Sequence, residues 1–252
     1  MDKKGEAFLI PLNSQRYNAA LKEAAKDSAK FIIDLGCNET DFLFYVSRNP
    51  QCVKFMIGID KDGFILKRGY QTLQRYQMHS CETTQSTPIY LKQDDITQLS
   101  DDLVNNFKNC PYVTMIEVIE HLQPESVDKA MDCILGKLQP QKVFLTTPNI
   151  EYNSVINEFY GNTRTYKFRH RDHKFEWTRK EFSDYINKLT AKYDYNAAIS
   201  GIGCIYPDED HEKNGYASHT VVFTRKEKVD KDFAPPIKFD FMIELFSDRK
   251  YN

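Results

Sequence analysis

Short apolar runs alternate with longer amphipathic ones along most of this chain. The runs at 30–35, 53–59, 88–91, 112–116 and 142–146 are four to seven residues long and rich in Val, Ile, Phe, Leu and Tyr. They predict buried strands. Between them, 12–29, 40–48, 61–78 and 126–138 carry helical patterns, and Pro140 gives the last of these a stop. Thr178-Arg179-Lys180-Glu181 opens a further helix, because Thr and Glu three residues apart can cap each other's backbone N–H groups. The rhythm then changes. Segments 195–203 and 218–224 read as strands joined by a polar link, 207–214, too short for a helical crossover, so they are expected to pair antiparallel at the sheet edge. The expected organisation is a helical segment at 1–29, an α/β domain at 30–224 with a mainly parallel sheet of seven strands ending in that hairpin, and a C-terminal extension at 225–252. The extension carries Pro235-Pro236 and an apolar stretch, 239–246, that is expected to dock on the domain as an appendage.

Composition narrows this only slightly. A chain of 252 residues with 41% hydrophobic residues suits one large domain with an ample core. Lys and Arg total 34 against 36 Asp and Glu, so any basic surface must be local. The cysteines at 37, 52, 81, 110, 133 and 204 form no C-x-x-C pair and read as free thiols. With no basic-then-apolar start and no apolar run near the roughly 18 residues of a membrane span, a cytoplasmic monomer is expected.

The first strand ends in Asp34-Leu35-Gly36-Cys37, at the strand-to-helix turn where open α/β sheets bind ligands. One glycine followed by Asn38-Glu39-Thr40-Asp41 is a poor phosphate cradle, which disfavours dinucleotides and NTPs. The second strand ends at Asp60, a carboxylate for ribose hydroxyls. The third leads to Asp94, Asp95 and Ile96, where an acidic group can receive an adenine amino group. Together these suit an adenosine without phosphates, carrying a positive charge. In order and spacing, the run 31–147 resembles the core of S-adenosylmethionine-dependent methyltransferases. It departs from that pattern at Asn38 and Asp94, where the family often has glycine.

After the fourth strand comes Glu117-Val118-Ile119-Glu120-His121. On a helical turn, positions i, i+3 and i+4 share a face, so Glu117, Glu120 and His121 would converge on one point, as for a divalent cation. The same residues also suit an acidic helix start with a hydrogen-bonded histidine. Downstream, His170 and His173 offer further imidazoles, which would complete an open site for two substrate oxygens. This E-x-x-E-H turn, the run Asp172-His173-Lys174-Phe175-Glu176-Trp177-Thr178, Thr147-Pro148-Asn149 and the segment Pro11-Leu12-Asn13-Ser14-Gln15-Arg16-Tyr17 resemble the small-RNA 3′-terminal 2′-O-methyltransferases, in their animal and bacterial form without double-stranded-RNA-binding modules.

The resemblance implies Glu117, Glu120, His121 and His173 as catalytic metal ligands, with His170 a neighbour. It implies Asp34, Gly36, Cys37, Asp60, Asp95 and Ile96 around S-adenosylmethionine, Mg²⁺ or Mn²⁺ as the cation, and the single-stranded 3′ end of a small RNA as substrate. An Argonaute- or Piwi-type protein would carry that RNA. The segment 163–180 holds seven Lys or Arg against Asp172 and Glu176. Arg164, Lys167, Arg169, Arg171 and Lys174 are therefore candidate phosphate contacts, and Arg16, from the N-terminal motif, is a further one. Phe175 and Trp177 fit the core better than a base stack. The rival readings are a metal-dependent O-methyltransferase of small vicinal diols and a catalytically silent RNA- or partner-binding domain.

Overall fold

Five apolar runs become five parallel strands: β1 (Phe31–Leu35), β2 (Phe55–Asp60), β3 (Ser86–Gln93), β4 (Tyr112–Ile116) and β5 (Lys142–Pro148). The computed structural model describes residues 7–49, 53–79, 86–161, 167–205, 211–229, 231, 233 and 238–246. The expected hairpin forms from β6 (Tyr195–Ile202) and β7 (Ser218–Arg225), with β7 inserted antiparallel beside β5. Among the described residues the sheet has eight strands rather than seven. The extra strand is β8 (Phe241–Phe246), from the C-terminal stretch read as an appendage, and it pairs antiparallel with β3. The order is β6-β7-β5-β4-β1-β2-β3-β8.

Every residue of β1 is buried, because the sheet is covered on both faces. One face packs Phe31, Ile33 and Leu35 against residues of α4 (Asp101–Phe107), α5 (Pro124–Met131) and α7 (Arg179–Lys192). The other packs Ile32 and Met56 against α1 (Leu12–Lys26), α2 (Asp41–Arg48) and α3 (Gly63–His79). Helix α1 is tied down by polar contacts as well. Tyr112 Oη donates to Ala20 O at 2.7 Å, and the buried Lys142 pairs with Asp27 and Glu23.

The differences from the expected elements have local causes. Helix α1 ends three residues early, where Ser28 turns left-handed at φ 49°. The pattern at 126–138 starts earlier, with Pro124 in the first turn, and loosens into a π-helical stretch, Asp132–Leu138, closed by the left-handed Gln139 ahead of Pro140. Helices α4 and α6 (Asn153–Phe159) have seven residues each, too few for a periodic signal. The capping box at α7 is present with both reciprocal bonds, and such a cap contributes about 1 kcal/mol. Among the described residues, no helix is long and apolar enough to cross a membrane. Among the described residues, Cys37, Cys110, Cys133 and Cys204 form no disulfide, while Cys52 and Cys81 lie outside them.

Candidate cofactor and metal site

All five parallel strands point their carboxyl ends to one edge, and the connections diverge between β1 and β4, the switch point where such sheets open a crevice. A cavity of about 490 Å³ lies there, within the roughly 300–1,000 Å³ of small-molecule sites. Asp34, Gly36, Cys37, Asp60, Asp95 and Ile96 all line it, and so do Glu117 and His121.

The candidate cofactor side is held by its own hydrogen bonds. Asp34 is 4% exposed and its Oδ1 accepts from Thr114 Oγ1 at 2.6 Å. Burial raises its pKa to about 7 despite that bond, with the charge of Asp60 adding to the rise. Gly36 has φ 74°, and a Cβ there would stand 2.7 Å from a methyl of Val118, so only glycine fits. The Asn38 that replaces a second glycine takes the left-handed conformation itself, at φ 47°. The Asp60 carboxylate accepts from the N–H groups of Asn38 and Asp62, both at 3.0 Å, which fixes its direction at the cavity wall. Asp95 accepts from the backbone and hydroxyl of Thr97, so part of its capacity closes its own turn. Burial holds the Cys37 thiol well above the usual thiol range, leaving it a neutral packing group.

On the chemistry side, Glu120, His121 and His173 converge, with one ligand atom from each lying within 4.8 Å of the others. The turn that does this is not the α-helical one expected. Glu117 sits outside it at φ 56°, followed by a 3₁₀ turn, Ile119–His121. Glu117 instead faces Arg16 at 2.7 Å and accepts from Thr146 Oγ1 at 2.9 Å. The structure therefore gathers three of the four residues proposed as ligands and sets the fourth against an arginine.

Glu120 is 0% exposed; its Oε2 accepts from Thr147 Oγ1 at 3.0 Å, while Oε1 has no hydrogen-bond partner among the described residues. Burial, and then the charge of Glu117, push its pKa well above the usual carboxylate range. Burial and the neighbouring His173 and His170 lower that of His121, which keeps its imidazole neutral, the form that binds metals. His173 Nδ1 lies 2.6 Å from Glu176 Oε1, which leaves Nε2 for a ligand. A buried carboxylate gathered with two imidazoles, one of its oxygens unpartnered among the described residues, is a donor set that fits a divalent cation.

Residue spacing alone did not single out three supporting groups. Thr114, Thr146 and Thr147 each hold one site carboxylate from a neighbouring strand. Glu176 is the second: buried, it is bound by His173, by Asn153 Nδ2 at 2.5 Å and by the Arg169 N–H at 2.6 Å. Burial opposes its charge, but these donors outweigh burial and lower its pKa. The signal was in the sequence, as an acidic residue three positions after a ligand histidine. Asn149 is the third, fully buried and bridging to the carbonyls of Asn214 and Tyr216.

The candidate phosphate contacts divide. Arg169 does not face outward. Its guanidinium donates to Asn153 Oδ1, Asn149 O and Ala217 O, which turns it inward. Arg16 is 11% exposed, engaged with Glu117 and with Ser218 Oγ, although it still lines the cavity. Lys167, Arg171 and Lys174 are exposed, and Arg164 lies outside the described residues. Phe175 and Trp177 pack against the core, Trp177 lying 4.8 Å from the ring of Tyr185.

No protein-family model matches the chain. It is similar to a small RNA 2′-O-methyltransferase of Xenopus tropicalis, 34% identical over 221 residues that cover 87% of this chain and 56% of the relative. The chain thus spans little more than half the length of that curated relative. Among solved structures it is similar to the small RNA methyltransferase HEN1, with a TM-score of 0.77 and 26% identity over 97% of this chain and 30% of the other. It is also similar to the methyltransferase domain of the bacterial CtHen1, with a TM-score of 0.66 and 29% identity over 85% of this chain and 98% of the other.

Proposed function

Because the chain belongs to the small-RNA 2′-O-methyltransferase family and has the fold of S-adenosylmethionine-dependent methyltransferases, we propose that it methylates the 2′-hydroxyl of the 3′-terminal nucleotide of a small RNA, using a divalent cation. One observation carries this reading: the cavity walled by Asp34, Asp60 and Asp95 is also lined by His121, which belongs to the cluster of Glu120, His121 and His173. A methyl donor held on one wall then lies beside a hydroxyl held on the other.

When bound, the cofactor supplies a methyl group already activated on sulfonium, and a cation held by Glu120, His121 and His173, with Glu117 beside them, lowers the pKa of a poor nucleophile. The chain's own residues do the rest. Asp60 orients the ribose of the cofactor, Gly36 lets the backbone turn close under it, and the acidic wall favours its positive charge. Glu176 holds His173 in one tautomer and one direction. The exposed cations Lys167, Arg171 and Lys174 flank the loop and suit phosphates. Positioning of this kind supplies roughly 7–11 kcal/mol in intramolecular analogues. The test is transfer of a labelled methyl group from S-adenosylmethionine to a synthetic single-stranded RNA in the presence of Mn²⁺ or Mg²⁺. Absence of transfer with both cations would overturn the reading.

Two variants probe the two walls. Asp60→Ala is expected to weaken S-adenosylmethionine and S-adenosylhomocysteine alike, since loss of a charged acceptor costs about 1.5–3 kcal/mol, or roughly 10- to 150-fold in affinity. Calorimetry giving wild-type affinity would mean that the ribose lies elsewhere. Glu176→Gln keeps the shape but weakens the grip on His173, and should lower Mn²⁺ affinity about 10- to 100-fold with cofactor affinity unchanged. An unaltered Mn²⁺ titration would reduce Glu176 to a packing role.

A further inference from the structure

We propose that the C-terminal strand β8 is a positioning element of the cofactor cavity, acting through the carboxylate of Asp240. This rests on the cofactor reading above and concerns a part of the chain that the site description does not use. The β3–β8 ladder ends at the pair Leu91↔Phe241, and the Asp240 N–H donates to Leu91 O at 3.0 Å. Beyond that point β3 continues to Gln93, whose N–H has left the ladder. Asp240 Oδ2 accepts it at 2.6 Å, across 147 residues of sequence.

Gln93 is a junction. Its carboxamide donates to Lys61 O at 2.9 Å, and the next N–H, that of Asp94, donates to Asp60 O at 3.1 Å. The packing there is close, since a Cβ on Gly63 would stand 2.6 Å from Gln93 Oε1. Through Gln93, one carboxylate therefore fixes both turns that line the cavity on this side, the one carrying Asp60 and Lys61 and the one carrying Asp94, Asp95 and Ile96. Asp240 can do this because β8 is itself anchored. Ile243 and Leu245 are buried, Phe241 stacks on Tyr70 of α3 at 5.0 Å, and the ring of Phe239 lies 4.9 Å from Tyr90.

The metal cluster hangs from β4 and the loop before α7, with no contact to this junction among the described bonds. The strand should consequently set cofactor affinity and leave cation affinity alone. In the full chain, Asp240→Ala is expected to raise the Kd for S-adenosylhomocysteine about threefold to tenfold, less than direct loss of a charged acceptor, because the contact is exposed and acts through Gln93. The KM for S-adenosylmethionine should rise with kcat kept, and a Mn²⁺ titration should be unchanged. Asp240→Asn retains a carbonyl acceptor and should recover most of the affinity. Glu244→Gln, on the exposed side of the same strand, should have no effect. A wild-type Kd in Asp240→Ala would overturn the proposal, and so would equal losses of S-adenosylhomocysteine and Mn²⁺ affinity, or an equal loss in Glu244→Gln, each marking β8 as a plain edge cover. If the unaltered chain binds no S-adenosylhomocysteine, the cofactor reading itself falls and takes this inference with it.

Discussion

Replacing Glu120 or His173 by alanine is expected to abolish methyl transfer, by about a thousandfold or more, while S-adenosylhomocysteine still binds. A site cation contributes several kcal/mol of charge stabilisation, and each 1.4 kcal/mol or so is about tenfold in rate. Asp34, Asp60 and Asp95, proposed to face the cofactor, lie near other strand ends and keep their own partners. Stability gives a second readout. Glu120 is a wholly buried carboxylate with one oxygen unpartnered among the described residues, an arrangement that costs free energy in the absence of a cation. Glu120→Gln should therefore unfold in EDTA at the same temperature as the unaltered chain or higher, and should lose the rise that Mn²⁺ confers. A glutamate kept only for structure would behave oppositely. Undiminished turnover in excess EDTA would remove the cation from the reaction. With two imidazoles among the donors, Mn²⁺ should support turnover at least as well as Mg²⁺.

End recognition carries the other large effect. A site that takes two adjacent hydroxyls of one ribose admits only a terminal nucleotide, because every internal ribose has its 3′-oxygen esterified. RNAs ending in a 2′-deoxy nucleotide or an existing 2′-O-methyl group should accept no methyl. Those ending in a 3′-deoxy nucleotide or a 3′-phosphate should react at under about one-hundredth of the rate, a loss of about 2.7 kcal/mol. The 3′-deoxy end lacks one oxygen, and the phosphate is a bulky anion that must approach the carboxylates of Glu117 and Asp172. Initial rates on matched oligonucleotides decide this. A 3′-phosphorylated RNA methylated as fast as its hydroxyl-ended twin would rule out terminal selection and return internal riboses or small diols as acceptors.

Sequence by itself determined strands β1 to β7, the longer helices and the carboxylates near the ends of the first three strands. A strand buried on both faces needs an unbroken apolar run, and a capping box needs two residues three apart. Asp34, Asp60 and Asp95 could therefore be placed at strand ends, and Glu120 with His121 on one turn, from spacing alone. Tertiary structure decided which partner each group took. Glu117 lay outside the expected helical turn once its backbone went left-handed, and Arg16, from the first helix, occupied it. Arg169 read as one more cation in a basic segment until the carbonyls of Asn149 and Ala217 drew it inward. Residues 239–246 read as an appendage because a lone apolar stretch does not reveal which edge it will pair with. Spacing along the chain sets periodicity and local capping, whereas the acceptor a given N–H or guanidinium finds is fixed by strand order and burial, which bring Asp240 to Gln93 and Ser218 to Arg16.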